Sequence, residues 1–478
     1  MLFHSFSFLI FFSIVFVIYW AIPHRFRWIL LLITSYYFYM SWNTKYVFLI
    51  LFTTVITYIS ALLLENTTNI RRRKWILGTS IFFCLGTLFL FKYFDFFNHI
   101  FLDLLHVFSF ELHTVTLNLL LPVGISFYTF QTMSYVIDVY RHNIHAEQHF
   151  GKYAAFISFF PQLVAGPIER AKNLLPQLNK QCEFDYDSAT YGLKLMAWGY
   201  FKKMVIADNV SPYVQLVYDN PESFQGFSLV IATLLFSLQI YCDFSGYSDI
   251  AIGASKMLGI NLMTNFRSPY FSKSLKEFWS RWHISLSTWF KDYVYIPLGG
   301  SHCHYLRKCF NLFITFLFSG LWHGANWTYV MWGGIHGTAR VIEDVFTHKG
   351  NKIKNKHFNI LKMFIIYIFC CFAWIFFVSE SLSDAWYVIT HLFTGIGTFD
   401  NYLLNGLMSM ELLSFYNLIL GLCILLLFIY DAINLHNDCI KIVSHQPTVV
   451  RYTFYLFLLF LILYFKSSTQ AEFVYFQF

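Results

Sequence analysis

Charge is scarce in this sequence. Asp, Glu, Lys and Arg together make up 12% of its 478 residues, whereas soluble globular proteins carry about 25%. A soluble surface needs more charge than this to stay dispersed, and a disordered chain has more charge and fewer apolar residues. The deficit therefore excludes a soluble enzyme and an intrinsically disordered protein.

Two other features are missing. The nine cysteines include no CxxC pair and follow no framework spacing, which excludes a secreted disulfide scaffold and predicts free cysteines that act as small apolar residues. No segment repeats with a period of about 20–50 residues, and this excludes a solenoid.

Apolar residues take the place of charge, since 57% of the chain is hydrophobic and 22% is aromatic. A helix needs about 20 apolar residues to cross a bilayer, and uncharged runs of about this length recur. The clearest runs are 1–22, 46–64, 75–91, 116–137, 223–242, 363–379, 412–430 and 452–465. Less regular runs are 26–42, 153–168, 188–207, 245–262 and 309–340. The pattern predicts an all-α polytopic membrane protein with about 11–13 membrane helices.

Basic residues cluster in the loops between these runs, and such clusters mark the cytoplasmic side of a membrane protein. They lie at 25–27, 71–74, 349–356 and 431–451, which predicts an external N-terminus and an external C-terminal tail, 467–478. The first run has neither a basic leader nor a small-residue cleavage site, so we expect a retained span. The net charge of +7 then reflects these loops and not nucleic-acid binding.

Residues 267–308 differ from the rest of the chain because they hold seven basic and two acidic residues, a net formal charge of +5. Tryptophan and tyrosine are interleaved with these charges. Such a segment is too costly to span lipid, so we predict amphipathic helices at the cytoplasmic interface. Two roles stay open: anchoring to anionic membrane lipid, or attraction of an anionic donor.

His323 is the sharpest candidate for chemistry. It lies in the apolar run 309–340 between Gly320 and Gly324. An ionisable residue at membrane depth is a functional hypothesis, and imidazole transfers protons near neutral pH. The glycines would let a ligand or a backbone approach closely. The alternative is a structural histidine that hydrogen-bonds a neighbouring helix, an interpretation that suits His336 better.

Three further patterns allow both a structural and a functional interpretation. The loop 301–304 carries zinc-ligand residue types, but its spacing matches no standard site and we predict no metal. The polar run 243–249 is predicted to be a turn between apolar runs, either as a capped helix break or with Asp243 and Ser245 facing a cavity. The aromatic tail could be an interfacial belt, or Tyr475 could carry a covalent intermediate.

Several of these motifs, taken in order, resemble the membrane-bound O-acyltransferase family. The resemblance extends over the whole chain and is densest over 120–340. Its motifs are Phe159–Ile168, Asp243–Asp249, Arg281–Ser287, Tyr295–Gly300 and Gly320–Trp327. The bacterial alginate and peptidoglycan O-acetyltransferases are the most similar branch, and the teichoic-acid D-alanyl transferases are further away. The loop at 301–304 departs from the glycine- and arginine-rich pattern of that branch.

The resemblance implies one membrane domain over 1–478, with helices around a central tunnel. Its parts would be N-terminal helices (1–115), a catalytic core (116–340), C-terminal helices (341–466) and the tail (467–478). It implies a catalytic His323, a second functional His283, and an acyl-carrying Tyr475. The substrate-binding candidates that accompany them are Arg281, Trp282, Trp322, Asn326, Asp243 and Ser245.

The implied function is an acetyltransferase of the bacterial inner membrane. It would take acetyl from a cytoplasmic thioester, acetyl-CoA or an acyl carrier, with no bound cofactor. A periplasmic or surface transferase would receive the acetyl group and deliver it to peptidoglycan, alginate or another polysaccharide. The alternatives are transfer of D-alanyl or another acyl group, a transporter with no covalent step, and a scaffold that recruits an external transferase.

Overall fold

A computed structural model describes residues 1–109, 116–117, 119–164, 166–349, 356–466 and 473–474. Every regular element in these residues is helical, and none of them forms a β-strand. Helices satisfy their own backbone hydrogen bonds, which is what an apolar chain in lipid requires. The predicted all-α fold is confirmed.

Contacts divide the chain into two compact units. The first comprises Met1–Leu193 and Ala251–Met263, and the second comprises Lys194–Ile250 and Thr264–Phe478. The single domain proposed over 1–478, with its internal divisions, stays a prediction.

The helices of the first unit precede α10, which runs across the boundary between the units as Tyr186–Tyr200. They are α1 Phe6–Ala21, α2 His24–Met40, α3 Val47–Asn66, α4 Ile70–Leu88, α5 Phe94–Val107, α6 Ile125–Tyr140, α7 Phe150–Ser158, α8 Phe160–Leu163 and α9 Ala171–Asn179. A short 3₁₀ turn, Thr44–Tyr46, precedes α3, and a π-helical turn, Phe89–Tyr93, joins α4 to α5. Nearly every residue of α6 is buried, so this helix forms the centre of the unit.

The second unit contains the remaining helices. They are α11 Asp208–Tyr218, α12 Phe227–Met257, α13 Leu275–Arg281, α14 Ile284–Phe290, α15 Tyr305–His323, α16 Trp327–Lys349, α17 Lys356–Val378, α18 Leu382–His391, α19 Phe399–Ser409, α20 Phe415–Asn434, α21 Cys439–Ser444 and α22 Thr448–Tyr464. Two π-helical turns follow α10 and α14, at Phe201–Ala207 and Lys291–Tyr295. Short 3₁₀ turns are Pro221–Ser223 and Pro269–Phe271. The last residues of α12, from Ala251, belong to the first unit.

Five helical segments in the described part of the chain are long and apolar enough to cross a bilayer. They are Thr44–Asn66, Ile70–Val107, Phe227–Met257, Asn359–Val378 and Phe415–Asn434. Two shorter apolar helices, α1 and α22, accompany them. The polytopic membrane architecture is confirmed, whereas the full number of spans and the side of each loop stay predictions.

The predicted turn at 243–249 is wrong, because these residues lie inside the uninterrupted helix α12. The physical reason is that two lysines of the π-helical turn, Lys202 and Lys203, meet the carboxylates of α12 directly. A polar run whose charges are paired does not have to leave the helix. The helices predicted in 267–308 are present as α13 and α14, whereas their place at the cytoplasmic interface stays a prediction.

Candidate active site

His323 is the last residue of α15, and the chain turns at the extended Gly324 to begin α16 at Trp327. The two helices are in backbone contact. A Cβ added to Gly320 would lie 2.3 Å from the carbonyl oxygen of Tyr329. The expectation that this glycine permits close backbone approach is therefore confirmed, and it explains how the hairpin holds His323 at a fixed position.

The His323 side chain is buried among aromatic rings. Its ring centroid lies 5.0 Å from Trp322, 5.0 Å from Trp332 and 5.2 Å from Phe377. An imidazole in such surroundings is screened from water, which strengthens its electrostatic interaction with any reacting group placed beside it.

His283 begins α14 with a left-handed backbone, φ 41° and ψ 56°. This conformation is rare for residues other than glycine and persists only where the surroundings impose it. The next residue shows how it is imposed, because the Ile284 N–H donates to the backbone carbonyl of Asn265 at 2.9 Å. The His283 ring is consequently held in a buried position.

Asn265 also fixes the tautomer of His283. Its Oδ1 accepts from His283 Nδ1 at 3.0 Å and from Ser285 Oγ at 2.9 Å, and its amide donates to Ser248 Oγ at 3.1 Å. Because Oδ1 can only accept, the imidazole proton lies on Nδ1 and the lone pair on Nε2. Burial lowers the pKa of His283 to about 3, so its ring is neutral near physiological pH and better suited to orienting a substrate than to storing a proton.

Trp322 lies between the two histidines. Its ring centroid is 5.0 Å from that of His323 and 6.1 Å from that of His283. The structure thus brings together three residues that the sequence singled out from two distant motifs.

The other predicted binding residues have structural contacts of their own. Trp282 is buried against Phe278 and Trp374, with centroids at 5.5 and 5.1 Å. Arg281 pairs with Glu277 at 2.6 Å within α13. Asn326 caps α16 by accepting from the Thr328 N–H at 3.0 Å, and its amide donates to the Glu380 carbonyl at 2.8 Å.

Asp243 and Ser245 belong to a buried ion network that the sequence analysis missed. Lys203 Nζ lies 2.7 Å from Asp243 and 2.8 Å from Asp208. Lys202 Nζ lies 2.5 Å from Asp249 and donates to Ser245 Oγ at 2.9 Å. The available signal was the pair of adjacent lysines inside the apolar run 188–207, since buried charges require partners.

The C-terminal tail enters the same part of the second unit. Tyr475 itself lies outside the described residues, but Phe473 and Val474 are both buried. The Val474 N–H donates to Asp243 Oδ2 at 2.8 Å. The Phe473 ring lies 5.6 Å from Phe244, whose ring is 4.5 Å from His283.

His336 does not have the hydrogen bond that a purely structural role predicted. Neither ring nitrogen has a hydrogen-bond partner among the residues that the structure describes. The ring packs instead between Trp332 and Trp279, with centroids at 4.9 and 5.1 Å. Aromatic packing therefore holds His336 against Trp332, whose ring in turn contacts His323.

The cysteines and the histidine loop form neither a disulfide nor a group of metal ligands in the described part of the chain. All nine cysteines are free, as predicted. Across the described residues, no group of three or more His, Cys, Asp and Glu side chains is placed to hold a metal ion.

Comparison with known proteins identifies the family to which this chain belongs. The model of the membrane-bound O-acyltransferase family matches residues 146–382. The chain is 38% identical over 412 residues to a probable alginate O-acetylase of Pseudomonas aeruginosa, covering 85% of this chain and 77% of that protein. It is 34% identical over 487 residues to a peptidoglycan O-acetyltransferase of Helicobacter pylori, covering 94% and 91%.

A more distant relative is a teichoic acid D-alanyltransferase of Streptococcus thermophilus. It is 28% identical over 305 residues, which cover 57% of this chain and 71% of that protein. The matches to the two O-acetyl-transferring relatives extend over most of the chain, and the family model spans both histidines. The protein belongs to the membrane-bound O-acyltransferase family and is a multi-pass membrane enzyme that transfers acyl groups to oxygen.

Proposed function

We propose that this enzyme takes an acetyl group from a cytoplasmic thioester and passes it across the bacterial inner membrane for O-acetylation of a cell-envelope polysaccharide. The observation that carries the proposal is the cluster of His323, Trp322 and His283, with Phe473 of the tail next to it through Phe244. The names of the relatives support an acetyl group and a polysaccharide acceptor.

His323 acts as the general base in this proposal. A hydroxyl oxygen attacks the thioester carbonyl while the imidazole takes its proton. The tetrahedral intermediate then collapses, the carbon–sulfur bond breaks, and the leaving sulfur takes the proton back from the imidazolium. Positioned acid–base catalysis of this kind contributes about 10²–10⁴-fold to the rate.

Of the substrate-binding candidates, Trp322 and Asn326 carry N–H donors that could stabilise the oxyanion of the tetrahedral intermediate, and Trp322 is the better of the two. The Asn326 amide already donates to the Glu380 carbonyl, so its use would break a helix-capping arrangement. Trp322 lies between both histidines, where an indole N–H can face the developing negative charge.

The basic segment 267–308 supplies the attraction for the donor. Five of its basic side chains are exposed, namely Arg267, Lys273, Lys276, Lys291 and Arg307. Both acetyl-CoA and an acyl carrier present phosphate groups, which such a surface concentrates. His283, neutral and fixed by Asn265, orients the donor that this surface delivers.

Tyr475 receives the acetyl group as an ester and presents it to a periplasmic or surface transferase. Peptidoglycan is the first acceptor to test, followed by alginate and other exopolysaccharides. A D-alanyl donor is the second candidate, because a D-alanyltransferase is among the relatives.

The test uses the full chain in nanodiscs with radiolabelled acetyl-CoA. Wild type, His323→Ala and Tyr475→Phe are compared for label on the protein before and after hydroxylamine, which cleaves esters. We expect labile label on wild type and on neither His323→Ala nor Tyr475→Phe. His445→Ala, which changes an exposed histidine, is the matched control and should label as wild type does.

Each departure has a distinct meaning. Label that survives Tyr475→Phe contradicts the tyrosine step while leaving the enzyme in place. Label from a D-alanyl carrier protein, with none from acetyl-CoA, selects the second candidate. Label that survives His323→Ala contradicts the general-base assignment.

A further inference from the structure

The C-terminal tail has a specific attachment point inside the second unit. The Val474 N–H donates to Asp243 Oδ2 at 2.8 Å, and both residues are buried. We propose that Asp243 is the docking residue of the tail and that this contact sets the position from which Tyr475 acts. The first half stands on the geometry alone, and the second half rests on the proposed function.

The charge arrangement explains why Asp243 is suited to this contact. Its Oδ1 lies 2.7 Å from Lys203 Nζ, and the same ammonium lies 2.8 Å from Asp208. One cation therefore serves two carboxylates, and all three side chains are at most 5% exposed. A buried carboxylate needs donors for both oxygens, and the tail amide supplies the donor for Oδ2.

Aromatic packing adds a second contact between the tail and α12, and Asp243, Phe244 and Tyr247 of that helix are called the dock below. The Phe473 ring lies 4.5 Å from Tyr247 and 5.6 Å from Phe244. Asp243 and Tyr247 are four residues apart in α12, so they share one face of that helix. The tail is thus held by its backbone at one residue and by its side chain at the residue before.

The dock is adjacent to the candidate active site. Phe244 contacts Phe473 on one side and the His283 ring, at 4.5 Å, on the other. Tyr475 directly follows the docked Val474 in sequence. Fixing one residue's backbone restricts the reach of its neighbour to a few ångströms, which is the role of a positioning contact.

Because Val474 donates from its backbone, a substitution in the tail can remove this hydrogen bond without changing any side chain of α12. Val474→Pro removes the N–H without changing any charged side chain of the ion network, whereas Val474→Ala keeps the N–H and is the matched control. Asp243→Asn keeps an oxygen acceptor but loses the charge that Lys203 faces. The proline variant changes only the tail, so it leaves the fold of the helices intact.

Hydrogen–deuterium exchange of the full chain in nanodiscs measures docking without any substrate. We expect the C-terminal peptide that contains residue 474 to exchange about 10-fold faster in Val474→Pro than in wild type, since the hydrogen bond that holds the tail to a charged group is lost. Val474→Ala should exchange at the wild-type rate. Equal rates in the proline variant and wild type would overturn the docking role of Asp243, whatever the activity.

Acetyl labelling of the same variants separates docking from the proposed function. Faster exchange together with loss of tail label in Val474→Pro, while acetyl-CoA hydrolysis to coenzyme A continues, supports both halves of the proposal. Faster exchange with undiminished tail label keeps the dock and overturns its role in positioning Tyr475. Absence of tail label in wild type instead contradicts the tyrosine relay and leaves the exchange result intact.

Discussion

Asn265 shows how a single amide can decide the state of a histidine in the candidate active site. Its side-chain oxygen accepts hydrogen bonds from the His283 ring N–H and from the Ser285 hydroxyl, and its amide donates to Ser248. The ring of His283 therefore has one tautomer and one orientation. Its alignment depends on a residue that makes no contact with substrate in the proposed mechanism.

Replacing Asn265 should lower activity because the His283 ring, although still present, loses its fixed orientation. We expect Asn265→Ala to reduce the rate of coenzyme A release by about 10²-fold, because small misplacements of a positioned group have effects of this size. Asn265→Asp keeps the acceptor oxygen and should recover part of the rate. The exposed Asn261→Ala is the control. A wild-type rate in folded Asn265→Ala would contradict the positioning role.

The pH dependence of stability follows from the burial of His283. Its folded pKa of about 3 lies below the unfolded value, which is about 6.5. The unfolded state therefore binds the proton first, and stability is lost as pH falls from about 6.5 toward about 3. Wild-type Tm should drop more between about pH 7.5 and about pH 5 than the Tm of His283→Asn. Equal drops would show that His283 does not contribute.

Residues of this site differ in how visible they are in the sequence. His323 and His283 are predictable because an imidazole in an apolar or aromatic run is unusual. Lys202 and Lys203 could have been identified as candidates on the same ground, because a charged side chain inside an apolar run is equally unusual. Asn265 carries none, since a loop amide is ordinary until its three partners are known.

At the level of secondary structure, α12 shows where a prediction from the local sequence pattern fails. Its polar stretch 243–249 has the composition of a turn, yet the helix continues through it. Lys202 and Lys203, whose ion pairs allow this stretch to stay helical, lie outside α12 and at most about four dozen residues upstream in sequence. Single-sequence patterns describe local preference, whereas a buried ion pair is a tertiary effect that overrides it.

The hairpin of α15 and α16 depends on Gly320. A methyl group there would meet the Tyr329 carbonyl at 2.3 Å, and a backbone atom cannot move aside as a side chain can. We expect Gly320→Ala to lower the free energy of unfolding by roughly 1–3 kcal/mol and to displace His323. Gly421→Ala in α20, with nothing within 4 Å of the new methyl, is the matched control. Thermal unfolding in detergent measures both, and equal Tm values would contradict the close-packing argument.

For the whole molecule, composition was sufficient for the class of protein. A charge deficit summed over 478 residues leaves a membrane environment as the only way to cover so much apolar surface. Composition could not fix the spans, because α12 joins two of the predicted runs and 153–168 forms only short helices. Span boundaries depend on packing, which hydropathy does not contain.

The net charge of the basic segment makes a prediction for the enzyme as a whole. Exposed charges attract an anionic donor over about one Debye length. Salt shortens this length from about 14 Å at 0.05 M to about 4 Å at 0.5 M. We expect KM for acetyl-CoA to rise several-fold between these salt concentrations while kcat stays constant, because encounter and not chemistry is affected. Initial rates of coenzyme A release in nanodiscs give both constants.

Two double variants that lose the same charge assign this salt effect to its source. Lys273→Gln with Lys276→Gln removes two exposed charges from the segment and should flatten the salt dependence of KM. Lys45→Gln with Lys74→Gln removes two exposed charges from the first unit and should leave it unchanged. If both pairs behave alike, the attraction comes from the net charge of the protein and not from 267–308. If KM ignores salt altogether, the donor is recognised by contacts other than its phosphates.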